Sequence, residues 1–333
     1  MQRSASALDE HLLKQFVGES AAFKAALALI GRYAKSRAPI LIMGETGTGK
    51  ELAAHAGHYL SERRDAAFVP LNCGAMPDAL FESELFGHAK GAFTDAARSR
   101  VGLIRQAEGG TLFLDEVEAL SPRGQVVLLR FLQDQSYRAV GEEQLRRADV
   151  RVIAASNVDL RQMVSRGEFR ADLLFRLDVL SVELPALRER LEDLPLLAEH
   201  LLAKAAASEG GAVKRLSPEA LNHLLGHDWP GNVRELEHVL LRAHLLGSEL
   251  WIQAADLQRC GLGLPSDLAW DPQRLREQKL RAVLQVERRF VDGAMAMSQG
   301  NISAAARLCQ MERAAFSKMV KKCRIAGNCS GSA

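Results

Sequence analysis

This chain of 333 residues has no apolar run approaching the length of a membrane helix. Residues 1–14 lack the apolar core and small-residue cleavage site of a secretory leader. Both absences lead to the expectation of a cytoplasmic protein with no membrane partner. Cysteine is scarce. The five cysteines, Cys73, Cys260, Cys309, Cys323 and Cys329, are odd in number, scattered, and never at CxxC spacing. That argues against a disulfide framework and against a zinc site, and leaves reduced thiols. Net charge is low, at +2, but it is unevenly spread. From Gln273 to Ala326, 12 Lys/Arg face 4 Asp/Glu, a local excess of +8 that leaves the remainder at −6. A basic tail on a mildly acidic body suggests a nucleic-acid-binding module, although charge alone leaves a solvated basic helix open. Hydrophobic residues make up 47% and charged residues 25%, an ordinary globular mixture with room for two or three domains.

The most informative stretch is Gly44-Glu45-Thr46-Gly47-Thr48-Gly49-Lys50, glycine and lysine at phosphate-loop spacing. Glycines tolerate the dihedrals that turn backbone N–H groups toward one anion. Lys50 then brings a compact positive charge to the β- and γ-phosphates. The apolar run Pro39 to Met43 reads as a buried strand before the loop, and Glu51 to Leu60 as a helix whose N-terminus favours phosphate. The hydroxyl usual after the lysine is missing, because Glu51 stands there.

Further runs follow in order. Phe68 to Leu71 reads as a strand ending at Asn72. Thr111 to Leu114 reads as another, ending in Asp115 and Glu116, which suit Mg²⁺ binding and polarisation of an attacking water. Val150 to Ala155 ends at Ser156-Asn157, where an amide can orient water, and Leu180 to Leu184 reads as a fifth strand. Helical patterns cover Phe23 to Ile30 and Gln125 to Gln133. Strands alternating with helices predict a parallel α/β sheet with ligands at the C-terminal strand ends. Between the second and third strands, Glu82 to Ala96 runs from a helical pattern broken at Gly87 into a small-residue tip. Phe93 and Thr94 sit at that tip, where a core is hard to place. Arg170 and Arg176 flank an apolar helical stretch, either as solvated arginines or as a pair reaching a phosphate across a subunit boundary. No strand pattern follows Pro185. Ser217-Pro218 opens a helix as N-cap and first residue. Asn232 and Glu235 have capping-box-like spacing, with Arg234 in that helix's first turn. Near the C-terminus, Ala304, Ala305, Leu308, Met311, Phe316 and Met319 have the spacing of a helix-turn-helix core. Arg313, Ser317, Lys318, Lys321 and Lys322 would face DNA. A helical hairpin that binds nothing is the alternative there.

Taken together, these motifs resemble the sigma-54-dependent transcription activators of the AAA+ superfamily, from about Phe16 to Ala326. The segments carrying the likeness are GETGTGKE (Gly44 to Glu51), Glu82 to Ala96, TLFLDE (Thr111 to Glu116), AASN (Ala154 to Asn157), FRADLLFRL (Phe169 to Leu177) and WPGNVREL (Trp229 to Leu236). The resemblance implies an AAA+ P-loop ATPase with a five-stranded parallel sheet, a helical lid and a C-terminal Fis-type helix-turn-helix. The corresponding divisions are a short arm over 1–16, an ATPase subdomain over 17–185, a lid over 186–260, a linker over 261–280 and a DNA-binding domain over 281–326. ATP and Mg²⁺ are the implied cofactors, and sigma-54 RNA polymerase, upstream double-stranded DNA and a homo-hexamer the implied partners. By the same likeness Asn72 restrains Glu116 until the γ-phosphate is sensed. Arg170 and Arg176 act on a neighbour's nucleotide, Arg234 reaches the nucleotide from the lid, and Phe93 and Thr94 touch sigma-54. There are three departures. Asp95 replaces the second glycine of GAFTGA, Gln310 replaces the glycine usual in the helix-turn-helix turn, and residues 1–16 are too few for a receiver domain. Asp95 keeps a second expectation open, an AAA+ DNA-binding regulator that does not engage sigma-54.

Overall fold

The five apolar runs form one parallel sheet. β1 (Ile40–Met43), β2 (Phe68–Asn72), β3 (Thr111–Asp115), β4 (Arg151–Ser156) and β5 (Leu180–Glu183) lie in the order β2-β3-β4-β1-β5. Pairing sets Asn72 opposite Asp115 and Met43 opposite Ser156. The polar residues that end these runs therefore emerge along one edge. The computed structural model describes residues 16–92, 98–247, 249–262, 290, 291, 293–298, 301–309, 311, 313 and 315–320. They divide into two units, one up to Gly263 and one from Leu264.

Alternation along the strands gives each face of the sheet its own core. Ile40 and Ile42 of β1 join Phe113, Ile153 and Ala155 on one face. There they pack with Ala26 and Ile30 of α1 (Ala21–Ala34) and Ala53 and Ala54 of α2 (Lys50–Tyr59). Leu41 turns to the other face with Leu112, Leu114, Val152 and Ala154. That face is covered by α3 (Asp78–Phe86), α4 (Pro122–Asp134), α5 (Leu160–Ser165) and α6 (Ala171–Leu177). The three central strands, β1, β3 and β4, are buried on both faces and read as near-continuous apolar runs, whereas β2 and β5 lie at the sheet edges and are only partly buried. Local chemistry fixes helix starts. Ser121 Oγ accepts from Gly124 N at 3.1 Å, with Pro122 at the first position of α4. At the opposite end of the sheet, the buried Arg151 donates to the carbonyls of Tyr33, Ala34 and Gly57, tying the last turns of α1 and α2 to β4.

His58 of α2 is fully enclosed against Phe68, with Nδ1 2.9 Å from Thr111 Oγ1. Burial, helped by the neighbouring His55, pushes its pKa down to about 4. The folded state thus holds this imidazole neutral, while the unfolded chain protonates it near pH 6.5. Its contribution is complete above pH 6.5 and is lost as pH falls toward 4. Unfolding titrations at pH 7 and pH 5 should differ by about 2 kcal/mol through this residue. His58→Gln should flatten that dependence, and an unchanged slope in the variant would remove His58 as its source.

After β5 comes a helical subdomain: α7 (Leu194–Glu209), α8 (Pro218–Leu225), α9 (Asn232–Leu246) and α10 (Ala254–Arg259). Its core centres on the fully buried Trp229, whose Nε1 donates to Leu224 O at 2.9 Å. Ser217 caps α8, accepting from Ala220 N. One expectation needs correction, because strand structure does continue after Pro185. Arg215–Leu216 and Trp251–Ile252 form a parallel two-residue ladder, too short to show any alternation.

In the second unit, Asn301 caps α11 (Ile302–Leu308), its Oδ1 accepting from Ser303 N and Ala304 N. Helical residues 293–297 and 315–320 contribute to a small core of Val291, Ala294, Ala305, Ala306, Phe316 and Val320. Met311 and Met319 pack against it as expected. Leu308 does not, being 55% exposed, and Ala306 takes the inward place. Among the described residues no helix is long and apolar enough to cross a membrane. Cys73, Cys260 and Cys309 are free thiols, and burial pushes Cys73 up to about 12.

Candidate active site

The loop between β1 and α2 has its glycines where the backbone demands them. Gly47 and Gly49 have φ of 81° and 99°. A Cβ on Gly47 would run into the carbonyl oxygen of Gly231, because the helical subdomain sits directly on the loop. Gly47 O accepts there from Val233 N at 3.1 Å. Lys50, the first residue of α2, is nearly buried. Its Nζ donates to Gly44 O at 2.8 Å, Glu45 O at 2.9 Å and Asn157 Oδ1 at 2.5 Å. Burial pushes the Lys50 pKa down, opposed by the carboxylates of Asp115, Glu118 and Glu116. Thr46 Oγ1 also donates to Asn157 Oδ1, at 3.2 Å, and Thr48 Oγ1 closes the loop onto Glu45 O at 2.8 Å.

β3 delivers the acids to the same place. Asp115 is half-buried, and burial together with Glu116 pushes its pKa up. Glu116 has a left-handed backbone, φ 56°, unusual for this residue type. The turn aims its side chain across the strand end toward Gly74. Glu116 Oε2 lies 2.5 Å and Asn72 Oδ1 3.4 Å from where a Cβ on Gly74 would stand. Asn72 and Glu116 are thus neighbours, but no hydrogen bond joins them. Asn72 Oδ1 accepts instead from Ala75 N at 2.9 Å. Asn157 is gripped from behind by Glu118, whose Oε1 accepts from its backbone N and its Nδ2.

The helical subdomain closes the other side of the cleft. Asn232 begins α9 with φ 52° but does not cap it, as its spacing to Glu235 suggested. Its Oδ1 accepts from Leu187 N at 2.8 Å, and its Nδ2 donates to Glu45 Oε2 at 3.1 Å and Thr46 O at 3.0 Å. Glu235 alone reaches back, to Gly231 N. Arg188 forks onto Glu45 at 2.7 and 2.5 Å and holds its carboxyl down at about 2. The cleft enclosed is ≈ 480 Å³. Thr46 to Glu51, Asn72, Asp115, Glu116 and Asn157 line its polar end, and Arg234 reaches its rim. Phe16, Val17 and Leu197 line an apolar end of the kind a base requires. The approach to α1 is pinned there by Asp193, which accepts from Glu19 N, Ser20 N and Ser20 Oγ.

Arg170 and Arg176 do not line this cleft. Both are exposed at the two ends of α6. Arg313 and Lys318 are exposed and Ser317 is half-buried in the second unit. Phe93, Thr94, Asp95, Gln310 and Lys321 lie outside the described residues. The sequence reading missed Glu118 and Arg188. Both act on partners far along the chain, and neither sits in a spacing pattern that announces it.

Residues 16–183 match the family model described as Sigma-54 interaction domain, and residues 188–261 match the AAA+ ATPase lid domain. The phenol regulator MopR of Acinetobacter guillouiae is 43% identical over 314 residues, covering 92% of this chain and 56% of that protein. Transcriptional regulatory protein ZraR of Escherichia coli (strain K12) is 43% identical over 291 residues, covering 87% of this chain and 65% of that one. The chain therefore spans less than two thirds of the length of these curated relatives. The crystal structure of NtrX from Brucella abortus in complex with ATP is similar, with 33% identity and a TM-score of 0.68 over 92% of this chain and 68% of that one.

Proposed function

The chain belongs to the sigma-54 activator family of AAA+ ATPases, and from that membership we propose that it hydrolyses ATP to remodel sigma-54 RNA polymerase from an upstream DNA site. The observation that carries the proposal is the direct bonding of the phosphate loop to the lid. Val233 N and Asn232 Nδ2 hold the backbone oxygens of Gly47 and Thr46. Whatever the loop binds is thereby felt by the lid.

ATP fits the cleft by its polar and apolar ends. The loop N–H groups and Lys50 take the phosphates. Lys50 must then exchange its present partners, Gly44 O, Glu45 O and Asn157 Oδ1, for phosphate oxygens. Mg²⁺ suits Asp115. Among the described residues no three side chains gather as a ready-made metal cage, and Mg²⁺ characteristically uses one or two carboxylates plus phosphate oxygens and water. Bound there, the ion would neutralise phosphate charge. Glu116 polarises the attacking water, Asn157 and Asn72 border it, and Arg234 contacts the nucleotide from the lid. Arg170 and Arg176 complete the site of the next subunit in a homo-hexameric ring. Arg313, Ser317, Lys318 and Lys321 bind DNA, and Phe93 and Thr94 touch sigma-54.

Thr94→Ala tests the division of labour. Its ATP hydrolysis should stay within about two-fold of the unaltered protein, while open-complex formation falls by at least about ten-fold. Aspartate is among the residue types that tolerate turn geometry, and Asp95→Gly should remain active. Transcription persisting in Thr94→Ala would refute the contact. An inactive unaltered protein rescued by Asp95→Gly would favour the regulator that does not engage sigma-54.

A further inference from the structure

Glu118 lies in the short turn Val117–Ala119 just after Glu116. Its Oε1 accepts from Asn157 N at 3.0 Å and from Asn157 Nδ2 at 2.9 Å. Its Oε2 is buried and takes no hydrogen bond among the described residues. Oε1 therefore accepts both of these hydrogen bonds. An amide held by its nitrogen must turn its oxygen the other way. Here Asn157 Oδ1 meets Lys50 Nζ at 2.5 Å and Thr46 Oγ1 at 3.2 Å. A carboxylate only accepts and an ammonium only donates, so these two groups fix the amide between them in a single orientation.

We propose that Glu118 is a positioning residue for ATP hydrolysis, holding Asn157 so that its amide oxygen, and not its NH₂, faces the phosphate end of the cleft. The inference rests on the ATPase reading above. An oxygen in that place accepts from a donor such as water and repels a phosphate oxygen. Once Lys50 turns to phosphate, the held amide still offers an acceptor to the attacking water. Released from Glu118, the amide is free to flip and donate its NH₂ to phosphate. Nucleotide binding then survives, and the acceptor that orients water is lost.

The test uses the full chain in four forms besides the unaltered one: Glu118→Ala, Glu118→Gln, Asn157→Ala, and Glu118→Ala combined with Asn157→Ala. Steady-state ATPase kinetics and equilibrium binding of a fluorescent non-hydrolysable ATP analogue are measured on each. Glu118→Ala should lower kcat by about ten-fold and leave analogue affinity within about three-fold. Glu118→Gln should restore most of the lost turnover, since it keeps an acceptor where Oε1 stands. The double variant should be no slower than Asn157→Ala alone, because the two residues act as one unit. A glutamine variant as impaired as alanine would make the charge, not the acceptor, the cause and overturn the proposal. So would multiplicative losses in the double variant, or analogue affinity falling together with kcat. If the unaltered protein binds the analogue yet does not hydrolyse ATP, the ATPase reading itself falls, and this inference with it.

Discussion

Glu116→Gln is expected to bind ATP within about three-fold of the unaltered protein and to turn it over roughly 100-fold or more slowly. Glutamine keeps the size and the polar contacts of glutamate but cannot take a proton from water. The backbone at this position makes the residue's purpose legible. A left-handed glutamate at a strand end is strained, and strain of this kind is retained where a side chain must be aimed. Here it points the carboxylate into the cleft beside Asn72, within the same pocket as Lys50. Loss of the base at this magnitude corresponds to about 2.7 kcal/mol in the barrier. Lys50→Ala should fail differently, by losing binding, because its nearly buried ammonium, held against the loop carbonyls of Gly44 and Glu45, is the charge placed at the loop for phosphate. Phosphate release and analogue binding separate the two. Hydrolysis at the normal rate by Glu116→Gln would move the base elsewhere among the acids of this turn.

If the proposed ring forms, alanine at Arg176 should lower its turnover by roughly 1000-fold, and alanine at Arg170 should also impair it. The cleft of a single chain contains neither residue. Arg170 already forks onto Asp172, at 3.0 and 2.7 Å, whereas Arg176 has no ion pair among the described residues. Beside Arg176, Phe175 is 80% exposed, an aromatic ring left in water unless a neighbouring subunit covers it. Arg176, which makes no ion pair among the described residues and stands next to the exposed ring of Phe175, is the one expected to matter more. Mixing Arg176→Ala with Lys50→Ala should restore part of the activity, since some interfaces then hold one whole site. Mixed rings without any recovered activity would place these arginines outside the neighbour's chemistry.

The centre of the sheet was legible because buried parallel strands are apolar runs ending in polar residues, and Asp115 and Asn157 each marked such an end, while Asn72 closes the partly buried edge strand β2. The phosphate loop was legible because its glycines answer to local backbone geometry. What the sequence hid is long-range. Asn232 looked like a helix cap because spacing to Glu235 imitates one, yet its side chain serves a loop far away in the chain. Arg188 and Glu45 form a pair that no local window contains. Glu118 was one acid among several on a turn until the fold brought Asn157 against it. The ladder between Arg215–Leu216 and Trp251–Ile252 is two residues long, below any detectable period.

The central claim is that ATP hydrolysis in this cleft opens promoter DNA through sigma-54 polymerase. Its most direct measurement is permanganate reactivity of promoter thymines with purified chain, sigma-54 RNA polymerase and a template carrying the upstream site. The account predicts melted thymines with ATP and none with a non-hydrolysable analogue. Melting with the analogue, or none with a DNA-bound protein that is hydrolysing ATP, would contradict it.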